Sequence, residues 1–210
     1  MPWLAQVIEA GTRRRGKPFP HWVQIASAGD WARTVRNDLA MRARWRTRHP
    51  VATDKLPNNW LFEAAALRML PGARVIDCRR DPMENCWFCH KQLFEPGMVH
   101  FSYSFEDLAG NRREYDALTR HWAARHPDRF DVQSYETLVA NPKLQIRALL
   151  TFCGLPFKPG CLNFHAAQRA IQTPSVLQVR QPLRRTSTPA AGYGHQMHLL
   201  PQLPRAAREA

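Results

Sequence analysis

The feature that most constrains the fold of this 210-residue chain is a helix–strand–helix pattern in its first half. The first helix is predicted over 59–70, because Asn58 or Asn59 can cap it and the Pro-Gly pair at 71–72 can end it. Three consecutive alanines inside this segment favour a helix strongly. A short loop then leads into the next element.

A buried strand and a second helix are predicted directly after this loop. Val75 and Ile76 form the centre of the strand. Asp81 can cap the second helix and Pro82 fits its first position, so the helix is predicted to begin there and to continue to about Leu93. Helix, strand and helix in close succession are typical of an α/β fold with a parallel sheet flanked by helices.

Further elements are predicted on both sides of this pattern. They are a helix over 1–10 stopped by Gly11, a helix over 30–49, a helix over 104–125 opened by Ser104 and Asp107, a strand over 130–135, and a helix from the Asn-Pro pair at 141–142 to Gly154. We predict one domain, made of a basic helical N-terminal segment (1–50), an α/β core (51–181) and a poorly ordered tail (182–210).

The charge of the chain points to an anionic partner. Thirty Lys and Arg residues against 17 Asp and Glu residues give a net charge of +13, which suits a nucleotide, a nucleic acid, an acidic polymer or a membrane surface. The six arginines between 33 and 48 form either an anion-binding face or a solvated helix surface. No apolar run approaches the ~18 residues of a membrane span, and no secretory signal is visible. We therefore expect a cytoplasmic protein.

Five cysteines, an odd number, do not suggest a disulfide framework. Cys86, Cys89 and His90 match the C-x-x-C-H spacing of covalent haem attachment, which would require export of the chain. A zinc site that adds Cys78 would lack a second C-x-x-C pair. Packing in the core is the favoured interpretation of these cysteines, and no metal is expected.

Two cationic positions are candidates for phosphate chemistry. Lys55 lies in the turn before the first helix, and Arg79 and Arg80 lie where the strand gives way to the second helix. A group-transfer enzyme needs one cation at the bond that breaks and another on a remote phosphate, and a helix N-terminus adds amide donors. The alternative is that these are surface cations near a helix start. The sequence contains neither a Walker-type loop nor a G-x-S-x-G elbow.

Five short motifs in a fixed order carry a family resemblance. They are D-K-L-P-N-N at 54–59, C-R-R-D-P at 78–82, Y-E-T-L-V at 135–139, F-C-G-L-P at 152–156 and Q-V-R-Q-P at 178–182. In order and spacing they resemble bacterial sulfotransferases of the branch often fused to tetratricopeptide repeats, which is similar to the tyrosylprotein sulfotransferases. The resemblance covers roughly residues 50–185.

The resemblance implies a P-loop-like α/β fold that binds 3′-phosphoadenosine 5′-phosphosulfate and transfers its sulfuryl group in line to a hydroxyl, without a metal. Lys55 would contact the 5′-phosphosulfate and stabilise the leaving oxygen, and Arg80 would bind the 3′-phosphate. Tyr135 would lie against the adenine, and Thr186 or Ser187 would reach the phosphosulfate. The acceptor could be a protein, a glycan or a small hydroxyl compound, while nucleic acid is the weaker alternative because no recognised motif accompanies the charge.

The sequence also departs from the family pattern. Three features of the family would lie upstream of Met1: the first strand, the loop that binds the phosphosulfate, and the glutamate that acts as general base. The fold is therefore expected to be incomplete at the N-terminus. Phe88 stands where a serine normally assists Arg80, and the tail from 184 to 190 lacks the usual G-R-W segment. Two hypotheses follow. The first is a sulfotransferase that is intact in kind though truncated, with activity that truncation can impair. The second is a non-catalytic remnant or a basic module that binds anions or nucleic acid.

Overall fold

The computed structural model describes residues 3–43, 51–94, 99–166 and 180–183. This part of the chain is mainly helical, with a two-stranded parallel sheet. In chain order the elements are α1 Trp3–Arg15, α2 Ala28–Ala43, α3 Glu63–Met69, β1 Val75–Arg79, α4 Pro82–His90, α5 Phe105–Arg125, β2 Phe130–Ser134, α6 Tyr135–Ala140 and α7 Pro142–Phe152. The predicted parallel sheet flanked by helices is therefore confirmed in kind, but the described residues contribute only two strands to it.

The chain divides into two compact units. The first comprises Met1–Val75 and Ala117–Phe130, and the second comprises Ile76–Asp116 and Asp131–Ala210. No helix in the described ranges combines the length and the apolar character that a membrane span requires.

The core of the first unit is built around Trp22, which is completely buried. Its ring packs against Phe19 and Trp31, with centroid distances of 5.9 and 5.4 Å. The other buried members of this core are Leu4, Val7, Ile8, Ala65 and Met69. Trp31, on α2, is partly buried and also packs against this cluster.

The predicted stop of the first helix at Gly11 is wrong. α1 runs through Gly11 to Arg15, and Gly16, with φ of 63°, adopts the left-handed conformation typical of a helix end. A Cβ atom on Gly11 would lie 3.0 Å from Cζ2 of Trp22. Gly11 therefore provides room for the buried indole, and its role is packing.

The start of α2 also differs from the prediction by two residues. The Ser27 hydroxyl accepts a hydrogen bond from the Asp30 amide at 3.2 Å, and the Asp30 carboxylate accepts one from the Ser27 amide at 3.1 Å. This reciprocal capping box places the cap at Ser27. The last part of the predicted helix, residues 44–50, lies outside the described residues.

The helix predicted over 59–70 is divided into two parts. A 3₁₀ segment, Pro57–Phe62, precedes α3, and neither Asn58 nor Asn59 caps it. The reason is that Pro57 already starts the helical turn, so that the Asn59 amide bonds to the Leu56 carbonyl at 3.0 Å. At the other end, the Arg129 guanidinium donates to carbonyls of the α3 terminus and of the loop beyond it, those of Leu67, Leu70 and Ala73.

β1 begins where predicted, but its burial pattern was predicted incorrectly. Ile76 is 37% exposed, whereas Asp77 is buried. Because side chains alternate along a strand, the face that carries Asp77 points inward and the face that carries Ile76 points outward. The structural consequence is that the buried position of β1 holds a carboxylate, which organises an ion-pair network described below.

The second half of the predicted element order is mostly confirmed. α5 is capped by Ser104, whose hydroxyl accepts from the Asp107 amide at 3.2 Å, and β2 ends one residue before the predicted limit. α7 starts at Pro142, and Gly154 follows its end with φ of 68°. Two differences remain: α4 ends at His90 rather than near Leu93, and α6 is an additional short helix.

The core of the second unit includes Cys86 and Cys89. Cys86 is buried together with Met83, Leu108 and Ala109, and Cys89 packs against this cluster. Burial raises the pKa of both thiols. The prediction of a core position is confirmed for Cys86 and Cys89, but it is wrong for Cys78, which is exposed because it lies on the outward face of β1.

Candidate functional site

Arg80 lies at the turn between β1 and α4, within the second unit. Its Nε and Nη2 atoms donate to Oε2 of Glu84, at 3.0 and 2.9 Å. Both contacts use one side of the guanidinium, and 31% of the side chain is exposed to solvent. A rigid, partly exposed guanidinium of this kind is suited to binding a phosphate.

Two aromatic rings flank the Arg80 guanidinium. Its Cζ atom lies 5.1 Å from the ring centroid of Phe88 and 5.1 Å from that of Tyr135. These distances are within the range of cation–π attraction. The structure therefore brings together two of the residues predicted for the site, Arg80 and Tyr135, and it places Phe88 beside them.

A hydrogen-bond network holds the Tyr135 segment against the turn that carries Arg80. The Glu136 carboxylate accepts from the Asp81 amide at 2.9 Å and from the Ser134 hydroxyl at 2.7 Å. Burial alone would raise the pKa of Glu136, but the hydrogen bonds from Ser134 and Asp81, together with the charge of Arg80, lower it overall. Glu136 is therefore held as a carboxylate that fixes the end of β2 to the start of α4.

The N-terminus of α4 offers fewer amide donors than the sequence suggested. The Asp81 side chain accepts from the Glu84 amide at 2.9 Å, as predicted for the cap of this helix. That amide is consequently already paired within the protein. Recognition of an anion here would depend on the Arg80 side chain more than on the helix terminus.

Arg79 has a different environment from Arg80. Its Nε atom lies 2.7 Å from the Asp77 carboxylate and its Nη1 atom 3.2 Å from the Asp116 carboxylate. Arg112 binds the second oxygen of Asp116 at 2.6 Å, and the Tyr115 hydroxyl donates to Asp77. We call this set of five side chains the Asp77 network. It occupies Arg79 with structural contacts, so Arg80 is the better placed of the two arginines to meet a ligand.

The pKa shifts in the Asp77 network follow from its burial and its charges. Burial alone would lower the pKa of Arg79, but its hydrogen bond and ion pair with Asp77 raise the pKa overall. Burial raises the pKa of Tyr115, and the neighbouring Asp77 carboxylate raises it further. Arg79 therefore stays charged and Tyr115 stays neutral.

Lys55 lies in the first unit and is exposed. Its neighbour Asp54 accepts a hydrogen bond from the amide of Leu4, at 2.9 Å, in the first turn of α1. This contact joins residues 50 positions apart and anchors the loop that carries Lys55. Because Arg80 and Tyr135 belong to the second unit, a donor site that includes Lys55 stays a prediction.

Other predicted site residues lie outside the part of the chain that the structure describes. Thr186 and Ser187 are in this group, as are the tail beyond 183 and the first two residues of the Q-V-R-Q-P motif. Two functional candidates were missed by the sequence analysis, Glu84 and Glu136. Glu84 could have been found from its i, i+4 spacing to Arg80. Glu136 could have been found because it directly follows Tyr135 in the same motif.

Comparison with known proteins supports the resemblance to sulfotransferases. The model of the sulfotransferase family matches residues 3–159, which include Lys55, Arg80 and Tyr135. An uncharacterized protein of Aquifex aeolicus (strain VF5) is 29% identical over 147 residues, which are 69% of this chain and 19% of that protein. The chain thus spans about a fifth of the length of this relative. No solved structure matches. Since the family match covers well over half of the sequence, the chain belongs to the sulfotransferase family.

Proposed function

We propose that this protein transfers a sulfuryl group from 3′-phosphoadenosine 5′-phosphosulfate to a hydroxyl acceptor, on a P-loop-like fold. Membership of the sulfotransferase family supports sulfuryl transfer in general. The observation that carries the choice of donor is the Arg80 guanidinium, partly exposed and flanked by Tyr135 and Phe88. A fixed cation beside aromatic rings suits a ligand that combines a phosphate with a purine base.

Each residue of the proposed site has one task. Arg80 binds the 3′-phosphate of the donor, and Tyr135 lies against the adenine. Lys55 neutralises the charge that develops on the leaving phosphate, and Ser187 or its neighbour Thr186 contacts the phosphosulfate. Glu84 and Glu136 position Arg80 and Tyr135 through the contacts described above.

The proposed reaction is a direct displacement at sulfur. The acceptor oxygen forms a bond to sulfur as the bond from sulfur to the bridging phosphate oxygen breaks. The electron pair of that bond stays on the phosphate, which leaves as adenosine 3′,5′-bisphosphate, and the hydroxyl proton of the acceptor passes to solvent water. A lysine near the bridging oxygen lowers the barrier because it stabilises the charge that develops there.

The acceptor belongs to one of three classes. The resemblance to the tyrosylprotein sulfotransferases makes a protein tyrosine one candidate, beside a glycan and a small hydroxyl compound. The relative from Aquifex aeolicus is much longer than this chain, so activity, acceptor and partners of a full-length protein are part of the proposal.

Calorimetric titration of the 210-residue chain with adenosine 3′,5′-bisphosphate tests this function. We expect binding that Arg80→Met and Lys55→Ala each weaken by about tenfold or more, because each removes a charged contact to a phosphate. Lys143→Ala, a change at an exposed lysine of α7, is the control and should bind normally. Absence of binding by the folded wild-type chain would contradict the proposal and favour the non-catalytic module.

A further inference from the structure

A second cation lies on the same aromatic ring as Arg80. Lys91, the residue directly after α4, places its Nζ atom 3.9 Å from the ring centroid of Phe88. The Arg80 Cζ atom lies 5.1 Å from the same centroid. One ring thus has two positive groups within the range of cation–π attraction.

The spacing along α4 explains why these groups meet. Glu84, Phe88 and Lys91 follow at intervals of four and three residues, which places them on one face of the helical turn. Arg80 reaches this face from the N-terminal side through its pair with Glu84. Lys91 reaches it from the C-terminal side, so the ring of Phe88 lies on a face with a cation from each end of the helix.

Lys91 can supply hydrogen-bond donors to a bound phosphate that Phe88 lacks. A phosphate dianion has three terminal oxygens, and the Arg80 guanidinium already donates from one side to Glu84. The side chain of Phe88 has no hydrogen-bond donor to offer the remaining oxygens. A lysine ammonium has three donors on a flexible stem, so it can turn toward an anion that contacts Arg80.

We propose that Lys91 is a second ligand of the 3′-phosphate, acting together with Arg80 beside the Phe88 ring. This inference rests on the proposed function, because it assigns a further contact to the same donor. It predicts that Lys91 contributes to discrimination between nucleotides with and without a 3′-phosphate. A purely structural role of Lys91 on the Phe88 ring would affect both nucleotides alike.

The test compares two probes on the 210-residue chain by calorimetry: adenosine 3′,5′-bisphosphate and adenosine 5′-phosphate. Their affinity ratio isolates the contribution of the 3′-phosphate. We expect Lys91→Met to weaken binding of the bisphosphate by about fivefold and to leave the monophosphate unchanged, as for one partly exposed ion pair. Lys91→Arg should restore most of the ratio, and Lys143→Met should match the wild type.

The outcomes distinguish an error in the role of Lys91 from an error in the assignment of the donor. If Lys91→Met matches Lys143→Met while the wild type prefers the bisphosphate, Lys91 is not a ligand and the donor assignment stands. An equal loss for both nucleotides also overturns the role of Lys91, because the 3′-phosphate would not be involved. A wild type that does not distinguish the nucleotides overturns the donor assignment and this inference together. Thermal unfolding of every variant verifies that the compared chains are folded.

Discussion

At the scale of single residues, two adjacent arginines serve different purposes. Arg79 contacts two buried carboxylates in the Asp77 network, whereas Arg80 is paired with Glu84 at a partly exposed turn. The alternation of side chains at the end of a strand sends neighbouring residues to different environments. One arginine therefore stabilises the second unit, and the other is available for the proposed phosphate contact.

This difference predicts losses of stability of different size for two equivalent substitutions. Arg79→Met should lower the free energy of unfolding by about 3 kcal/mol, because Asp77 and Asp116 would lose a charged partner while they remain buried. Arg80→Met should lower it by less than about 1 kcal/mol, since its ion pair is partly exposed. Urea unfolding measures both changes. Equal destabilisation by the two variants would contradict the assignment of Arg79 to a structural network.

The Glu136 carboxylate predicts a dependence of stability on acid. Its pKa in the folded chain is lowered from the ordinary value of 4.5, so its contribution is present above that value and is lost as the pH falls through the folded-state pKa. Glu136→Gln should therefore destabilise the chain at pH 7, by about 1 kcal/mol or less because the side chain is exposed.

The measurement is urea unfolding of the wild type and of Glu136→Gln between pH 7 and pH 3. The difference in unfolding free energy should shrink toward the acidic end. Glu106→Gln, at an exposed glutamate in the first turn of α5, is the matched control for loss of a carboxylate. A difference for Glu136→Gln that stays constant down to pH 3 would mean that its hydrogen bonds do not favour the ionised form.

At the scale of elements, glycines differ in role according to what packs against them. Gly11 and Gly110 both lie inside helices, where alanine is the better helix former. A Cβ atom on Gly11 would lie 3.0 Å from the buried Trp22 ring, whereas one on Gly110 would have Arg113 Nη2 as its nearest neighbour, at 4.0 Å. Of these two glycines, Gly11 alone is therefore required by packing.

We predict that Gly11→Ala destabilises the chain by about 1–3 kcal/mol, because the added methyl group overpacks a site where Trp22 is held by its neighbours. Gly110→Ala should stabilise it by about 0.5–1 kcal/mol through the gain in helix propensity. Thermal or urea unfolding of the two variants gives the comparison. A stabilising Gly11→Ala would show that the indole can move to accept the methyl group.

Most element types could be predicted from the sequence because they depend on local signals. Asp81 with Pro82 starts α4, and Ser104 caps α5, as the residues themselves indicated. At Gly11, a residue that is distant in sequence decides why a glycine is needed. Gly11 lies inside α1 and makes room for Trp22, which is buried by contacts that no local pattern reveals.

At the scale of the whole molecule, the net charge of +13 predicts non-specific attraction to polyanions. We expect weak binding of the chain to a random-sequence DNA duplex at low salt, with an affinity that falls steeply as salt rises because counterions are released on binding. Arg80→Met removes one charge of this excess and should change duplex binding little.

Fluorescence anisotropy with a labelled duplex over a salt series measures this attraction. Arg80→Met should strongly weaken binding of adenosine 3′,5′-bisphosphate. Comparison of the two ligands therefore distinguishes non-specific attraction by the net charge from binding at a specific site. Duplex binding that resists about 200 mM salt would contradict the prediction, since purely electrostatic contacts are largely lost there. That result would favour the nucleic-acid alternative.

The sequence by itself determined the family, the order of most elements and the residues of the motifs, because these depend on local propensity and on spacing along the chain. Tertiary structure alone decided which of two adjacent arginines enters the Asp77 network and which stays partly exposed. It also decided that Phe88 and Tyr135 flank Arg80, and that Glu136 joins β2 to α4. The contacts of Arg79 with Asp116, of Arg80 with Tyr135 and of Asp81 with Glu136 join residues that are distant in sequence. Their geometry follows from packing, which spacing along the chain does not specify.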